Sequence, residues 1–318
     1  MQYNPAPILL FVYKRPAHTK RTLEALAADM LADESVLYIY ADGPRADASD
    51  DDRRLVTEVR RLIRDRKWCK EVHIIESAQN KGLANSIIEG VTRQVNEHGR
   101  VIVLEDDLIV ARGFLKYMNE ALERYEKQDK VMQVCGYQFP IGVPATRSAF
   151  FLPLTASWGW ATWKRAWSQF DPRAEGYEEL KTNPDLARRF DLNGTIKYKD
   201  MLIDQMERKN ISSWAIRWWW TVFKADGISL FPDNSLVNNV GFGKDATHTK
   251  GPNPFGRSKF DPEYTIFNFP ETIGANEEYF LRLQEMYRRI YPANERFVDK
   301  VIRKLRYGID SIFRREEV

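Results

Sequence analysis

Three consecutive carboxylates, Glu105-Asp106-Asp107, close the apolar run Val101-Ile102-Val103-Leu104. A short apolar run of this kind reads as a buried parallel strand, whose interior offers nothing to stabilise bare charges. The acids must therefore stand where the strand emerges. In open α/β sheets that carboxyl edge is where ligands bind. Adjacent carboxylates there are hard oxygen donors suited to Mg²⁺ or Mn²⁺ carrying a phosphate. The simpler alternative is that they cap the next helix by accepting orphan N–H groups, a task for which one Asp suffices. Three acids in a row point instead to a metal-bound phosphate compound.

The elements that would position these acids follow from periodicity and turn chemistry. Ile8 to Tyr13 reads as a strand, Thr19 to Ala28 as a helix, and Val36 to Ala41 as a second strand ending at the turn Asp42-Gly43-Pro44. Asp50 to Lys67 opens acidic and becomes arginine-rich, as a helix dipole favours. Val72 to Ile75 supplies a third strand, Leu83 to Glu97 a helix, and Val101 to Leu104 the fourth strand. Phe114 to Tyr125 reads as another helix and Val131 to Cys135 as another strand. Strands alternating with helices at this spacing predict an α/β fold: a mainly parallel sheet, flanked by helices on both faces and joined by right-handed crossovers. Beyond Gly136 the rhythm breaks. Eight of the nine tryptophans lie between Trp158 and Trp220. Lys244 to Phe260, rich in Gly, Pro and Asn, reads as a long loop of the kind that forms lids. From Glu277 onward the pattern is helical in two pieces, broken near Pro292.

Bulk properties narrow the function classes. The 318 residues suffice for one large α/β domain or two small ones, and 43% hydrophobic with 29% charged residues is ordinary for a soluble globular chain. A net charge of +3 gives no general affinity for polyanions, so no nucleic-acid partner is expected. Cys69 and Cys135 stand far apart with no metal-ligand spacing, which argues against a zinc site or a disulfide framework and for a reducing cytosol. No apolar stretch approaches the ~18 residues needed to span a bilayer, and Met1 to Pro7 does not resemble a signal peptide. Export is not expected.

The other strand ends carry polar residues too. The first leads to Lys14-Arg15-Pro16, the second to Asp42-Gly43-Pro44-Arg45, and the third, after a short linker, to Asn80-Lys81-Gly82-Leu83-Ala84-Asn85-Ser86. Arg15 can pair bidentately with a phosphate or stack on a base, and Asp42 can accept a base N–H or a ribose hydroxyl. Lys81 adds a point charge beside Gly82, which allows close backbone approach. Each of these features, taken alone, is more often just a turn; together they suit a phosphate–sugar ligand.

These segments resemble the GT-A nucleotide-sugar glycosyltransferases, and more narrowly the bacterial sugar transferases related to the N-acetylglucosaminyltransferase I type. Similar to that group as well are Ser157-Trp158-Gly159-Trp160-Ala161-Thr162-Trp163, Asn238-Asn239-Val240-Gly241-Phe242-Gly243 and Asp245-Ala246-Thr247-His248-Thr249. The resemblance covers most of residues 7 to 250. It implies that Asp107 bonds the metal, Mn²⁺ or Mg²⁺, while Glu105 and Asp106 contact the ribose or sugar of a nucleotide diphosphate sugar. It further implies that Arg15 and Asp42 hold the base. His248 would be a second metal or phosphate contact, with Thr247 and Thr249 as lesser candidates. Residues 1–140 would then form the donor half, 141–275 the acceptor and lid half of the same domain, and 276–318 a basic amphipathic helical tail.

The resemblance also implies inversion at the anomeric carbon, which requires a base for the acceptor hydroxyl. Relatives often carry an acid near the position of Trp214, where this chain has none. Asp204 is the nearest substitute, with Asp200 and Glu207 as rivals. Trp214, Trp218 and Trp220 share helical spacing and are expected in the core, whereas Trp158 and Trp160 either line the acceptor cleft or pack inside. The tail, with Arg296, Lys300, Arg303, Lys304 and Arg306 among apolar residues, either lies peripherally on the inner membrane face or packs as a solvated helix. The expected function is metal-dependent transfer of a hexosyl or N-acetylhexosaminyl group to a saccharide or lipid-linked acceptor, in the cytoplasm and for bacterial surface polysaccharide. The rivals are a sugar-1-phosphate nucleotidyltransferase and a non-catalytic carbohydrate-binding protein.

Overall fold

The computed structural model describes residues 5–208, 212–242, 253, 255, 259–265 and 268–291. In chain order the first half comprises β1 (Ile8–Val12), α1 (Pro16–Ala27), β2 (Val36–Ala41), α2 (Asp50–Leu62), β3 (Glu71–Glu76), α3 (Leu83–His98), β4 (Arg100–Glu105), β5 (Leu108–Val110), α4 (Phe114–Arg124) and β6 (Val131–Cys135). There follow β7 (Ala149–Leu152), β8 (Trp160–Trp163), α5 (Lys164–Trp167), α6 (Glu179–Thr182), α7 (Pro184–Phe190), α8 (Tyr198–Ile203), α9 (Trp214–Lys224), β9 (Ile228–Pro232), β10 (Val237–Asn239) and α10 (Glu277–Ile290).

Local chemistry sets these boundaries. Proline opens α1 at its first turn, where its missing N–H costs nothing. Ser49 caps α2 by accepting the Asp52 N–H, with three aspartates in the first turn and Arg60 and Arg61 in the last. Helix α3 stops at Gly99, which adopts the left-handed conformation (φ 79°) that a side chain would resist.

Eight strands form one sheet in the order β3-β2-β1-β4-β8-β6-β9-β7. Strands β3, β2, β1 and β4 are mutually parallel, and β9 runs parallel to β6; β8 is antiparallel to both β4 and β6, as is β7 to β9. The alternation of strand side chains divides the core between the two faces. Ile8, Leu10 and Val12 of β1 and Ile102 and Leu104 of β4 pack in one cluster with Leu23 and Leu26 of α1, Val59 of α2 and Leu115 of α4. Leu9, Phe11, Val101 and Val103 face the other way, onto Ile87 and Val91 of α3 and the tryptophans of α9. Helices therefore cover both faces, as the strand–helix alternation predicts.

The break in rhythm after Gly136 is not the end of the sheet. Strand β8, Trp160-Ala161-Thr162-Trp163, inserts antiparallel between β4 and β6, and its faces separate its tryptophans. Trp160 is fully buried, stacked on Trp214 at 4.7 Å between ring centroids, and packs beside Trp167 and Trp218. Trp160 is thus a core residue and not a wall of the cleft; Trp214, Trp218 and Trp220 are buried as their spacing predicts. Cys69 and Cys135 are both free and buried. The first helical piece of the tail is α10, capped by Asn276, while its basic continuation lies outside the described residues. Among the described residues no helix is long and apolar enough to cross a membrane.

Trp160→Ala should cost about 3–5 kcal/mol of unfolding free energy, the usual loss when a buried indole is removed. Equilibrium urea unfolding measures it, and a loss below about 1 kcal/mol would show that the tryptophan stack does not hold this part of the sheet to α9.

Candidate functional site

Strands β1, β2 and β3 step away from the sheet centre in one direction, and β4 lies on the other side of β1. The strand order therefore reverses between β1 and β4, and ligands in open α/β sheets bind in the crevice outside the carboxyl ends at such a reversal. Arg15 stands at the end of β1 as the N-cap of α1 and makes no side-chain cap. Its guanidinium reaches across the crevice. Through Nη2 it donates to Asp106 Oδ1 and, at 2.7 Å, to Asp107 Oδ2. The two carboxylates following β4 thus converge on a single nitrogen of the residue following β1.

Burial opposes the charge on Arg15, but the attraction of Asp106 and then Asp107 outweighs it, and the guanidinium is held firmly protonated. Asp106 is raised by burial despite that cation. Its backbone oxygen is fixed by the Thr22 hydroxyl of α1 at 2.8 Å. Glu105, the last residue of β4, is pushed up to about 8, first by burial and then by its like-charged neighbours Asp107 and Asp106. Three carboxylates thus crowd one cationic side chain, which bonds two of them. Asp106 and Asp107 offer hard oxygens side by side, the donor type that holds Mg²⁺ or Mn²⁺ through one or two carboxylates with phosphate oxygens completing the shell. Among the described residues no group of three or more His, Cys, Asp or Glu forms an all-protein metal cluster.

The chain leaves Asp107 as β5, which pairs antiparallel with β10. This two-stranded ribbon brings Val240-Gly241-Phe242 to the acids: the Val240 N–H donates to the Asp107 carbonyl at 2.9 Å. Gly241 lies so close that an added Cβ would fall 2.6 Å from Asp107 Cγ. Any other residue there would push the Asp107 carboxylate aside, which ties together two motifs more than a hundred residues apart.

The structure gives Asp42 and Lys81 more local work than a ligand-binding role alone. Asp42, buried at the β2 tip, accepts the backbone N–H groups of Gly43 (2.9 Å), Lys81 (2.9 Å) and Gly82 (3.0 Å). It braces the loop before α3 and keeps spare acceptor capacity on Oδ2. The Lys81 ammonium pairs with Glu89 at 2.6 Å on the exposed side of α3. Two participants were not apparent from the sequence. His18, in the first turn of α1, lies within electrostatic reach of Asp106, and Thr22 holds its backbone. The position of His18 one turn after Arg15 at a helix start was the signal available for it.

Beside the crevice lies an aromatic cavity of about 200 Å³, lined among others by Trp158, Tyr198, Met201, Ser213, Trp219 and Tyr287. Trp158 is half-buried and meets Tyr137, Phe242 and Phe255 edge-on. Through Phe242, the neighbour of Gly241, it connects the cavity to Asp107. Asp204 lies at the C-terminal end of α8, one turn beyond Met201, and is 3.3 Å from Arg208. It is not among the described residues lining the cavity. Of its rivals, Asp200 is exposed and Glu207 pairs with Lys181 at 2.5 Å. Thr247, His248 and Thr249 lie outside the described residues.

The sequence matches no protein-family profile and no curated protein. Among solved structures the chain is similar to mouse xyloside xylosyltransferase 1 in its apo form, at 12% identity and a TM-score of 0.36, over 68% of this chain and 80% of that one. It is also similar to the galactosyltransferase LgtC in complex with donor and acceptor sugar analogs, at 11% identity and a TM-score of 0.33, over 56% of this chain and 65% of that one. S. aureus TarS gives 12% identity and a TM-score of 0.27 over 38% of this chain; the chain spans only 20% of TarS. At such scores the likeness is a loose α/β one.

Glu105 generates a pH prediction. Its carboxyl titrates near about 8 when folded against 4.5 in its ordinary state, so between those values the folded chain holds a proton that the unfolded chain has released. Stability therefore falls as pH rises through that window. With divalent cations chelated, the Tm of the native sequence should fall by several degrees more from about pH 5 to pH 8 than that of Glu105→Gln. Parallel Tm–pH curves for the two proteins would contradict the assignment.

Proposed function

We propose that this protein is a glycosyltransferase that uses a nucleotide diphosphate sugar. The observation that supports this most strongly is the convergence of Asp106 and Asp107 on Arg15 at the β1–β4 crevice. In the proposed reaction an acceptor hydroxyl oxygen bonds to the anomeric carbon as the bond from that carbon to the diphosphate oxygen breaks. The nucleoside diphosphate leaves with the bonding electrons, the hydroxyl proton passes to a carboxylate, and the anomeric configuration inverts.

Asp107, with Asp106 beside it, would hold Mn²⁺ or Mg²⁺, which when bound neutralises diphosphate charge and acts there as a Lewis acid. Arg15 orients both carboxylates and supplies a fixed positive charge beside them. Glu105 and Asp106 face the ribose and the donor sugar. Asp42 offers its remaining acceptor capacity to the nucleotide and, by bracing Lys81 and Gly82, shapes the base end of the site together with Arg15. His248 is proposed as a second metal or phosphate contact and Asp204 as the base. The proposed acceptor is a saccharide or a lipid-linked one in bacterial surface polysaccharide synthesis, on the cytoplasmic side, with the basic tail as a peripheral membrane contact.

Thermal unfolding with nucleoside diphosphates tests the donor site. At about a hundred times Kd, nucleotide and Mn²⁺ together should raise Tm by about 4 °C, and neither alone should do so. Asp107→Ala should abolish the metal-dependent part; a variant that retains it removes Asp107 as ligand. A panel of nucleotide sugars then separates the chemistries. Release of nucleoside diphosphate supports transfer, release of pyrophosphate from sugar 1-phosphate and nucleoside triphosphate marks a nucleotidyltransferase, and neither marks a binding protein. Asp204→Asn should lower kcat by at least about 100-fold with the thermal shift intact, and full turnover would exclude it as base.

A further inference from the structure

Nothing in the crevice itself accounts for the aromatic cavity beside it. Its walls combine flat apolar faces with hydroxyl groups. Trp219 is fixed by donation from its indole N–H to the Phe190 carbonyl at 3.2 Å, and Trp158 by its three edge-on aromatic neighbours. The Tyr198 and Tyr287 hydroxyls lie 3.4 Å apart, and Ser157 and Ser213 also line the wall, the latter with its hydroxyl capping α9. Burial pushes the Tyr198 phenol up to about 12, so it keeps its proton as a donor near neutrality. Rigid aromatic platforms interleaved with hydroxyls suit a ligand that alternates C–H faces with hydroxyls. An alkyl chain would make no use of those hydroxyls, whereas a sugar hydroxyl can add a hydrogen bond to the Tyr198–Tyr287 pair.

Position adds a second constraint. The residue after Trp158, Gly159, packs against Val237 of the ribbon and lies near Leu104, which precedes Glu105. The Trp158 ring contacts Phe242, whose neighbour Gly241 lies against Asp107. The cavity and the carboxylates thus share one wall. Its exposed side is marked by the lining residues Met201, in the second half of α8, and Ala215, half-buried at the start of α9.

We infer that this cavity is a saccharide site that takes one pyranose ring, that of the acceptor, by stacking on Trp158 and hydrogen bonding to the Tyr198 hydroxyl. That the ring is the acceptor rests on the donor reading of the crevice; that a pyranose binds does not. The wall shared with Asp107 presents that ring's hydroxyl toward the crevice. A lipid carrier, where there is one, lies outside the cavity.

Saturation-transfer NMR with the methyl glycosides of glucose, galactose and N-acetylglucosamine tests this without turnover. At least one glycoside should receive saturation at its ring C–H protons, and farnesol should not displace it. Ala215→Phe, which fills the cavity, and Met201→Trp, which narrows the exposed mouth should the first fail to fold, should each weaken that binding at least tenfold. Both should leave the stabilisation by nucleoside diphosphate with Mn²⁺ unchanged. Absence of binding by every glycoside, unchanged binding in the folded variants, or displacement by farnesol would overturn the saccharide site. Glycoside binding in a protein that nucleotide and Mn²⁺ do not stabilise would refute the donor site and leave this one standing.

Discussion

Everything at the carboxyl edge of this sheet depends on an unbalanced charge. Three carboxylates arrive together at the end of β4, and the residue at the end of β1 supplies one guanidinium to two of them. Buried ion pairs contribute little net stability, because desolvation consumes most of the attraction. An excess of acids is worse, and burial first, with that crowding after it, lifts Glu105 toward neutrality. A sequence selected for stability alone would not place Glu, Asp and Asp in succession at this point. The arrangement makes physical sense as a site prepared for additional positive charge and the phosphate that accompanies it.

The rest of the fold serves that constraint. Two apolar clusters, one on each face, clamp β1 and β4 side by side, so the short connections that carry Arg15 and Asp106 start from rigid strands. Thr22 secures the backbone at Asp106, the ribbon secures it at Asp107, and Asp42 secures the neighbouring loop through three N–H groups. The antiparallel insertion of β8 beside β4 then brings Trp158 alongside the same edge. Donor-side charge and aromatic cavity thus become neighbours through strand order, although their residues lie about fifty positions apart in sequence.

Much of the first half was legible because its signals are local. Alternating apolar runs gave β2 and β6 at their observed bounds and β1, β3 and β4 to within a residue, though not the three-residue β5, and a charged triplet after a buried strand pointed to the edge of the sheet. Longer-range features were not legible. Strand β8 is four residues, half of them tryptophan, whose partner β4 lies some sixty positions earlier, so nothing local marks it as a strand. The different fates of Trp158 and Trp160 depend on the register of that strand. Asp42 looked like a free acceptor because its three donors come from backbone groups, two of them about forty residues away. Gly241 stood in the sequence only as part of a segment that carried the resemblance, and its contact with Asp107 became visible once the ribbon set the two together.

The central claim is that the crevice between the tips of β1 and β4 binds a metal–nucleotide complex, and paramagnetic relaxation locates such a complex directly. In a deuterated, amide-labelled sample, Mn²⁺ added with a nucleoside diphosphate should broaden the resonances of Arg15, Asp106, Asp107 and Gly241 first. Resonances of Lys164 and Trp167, which line a separate cavity between α3 and α5, should keep their intensity. Broadening centred away from the strand tips, or broadening by Mn²⁺ that the nucleotide does not alter, would contradict the account.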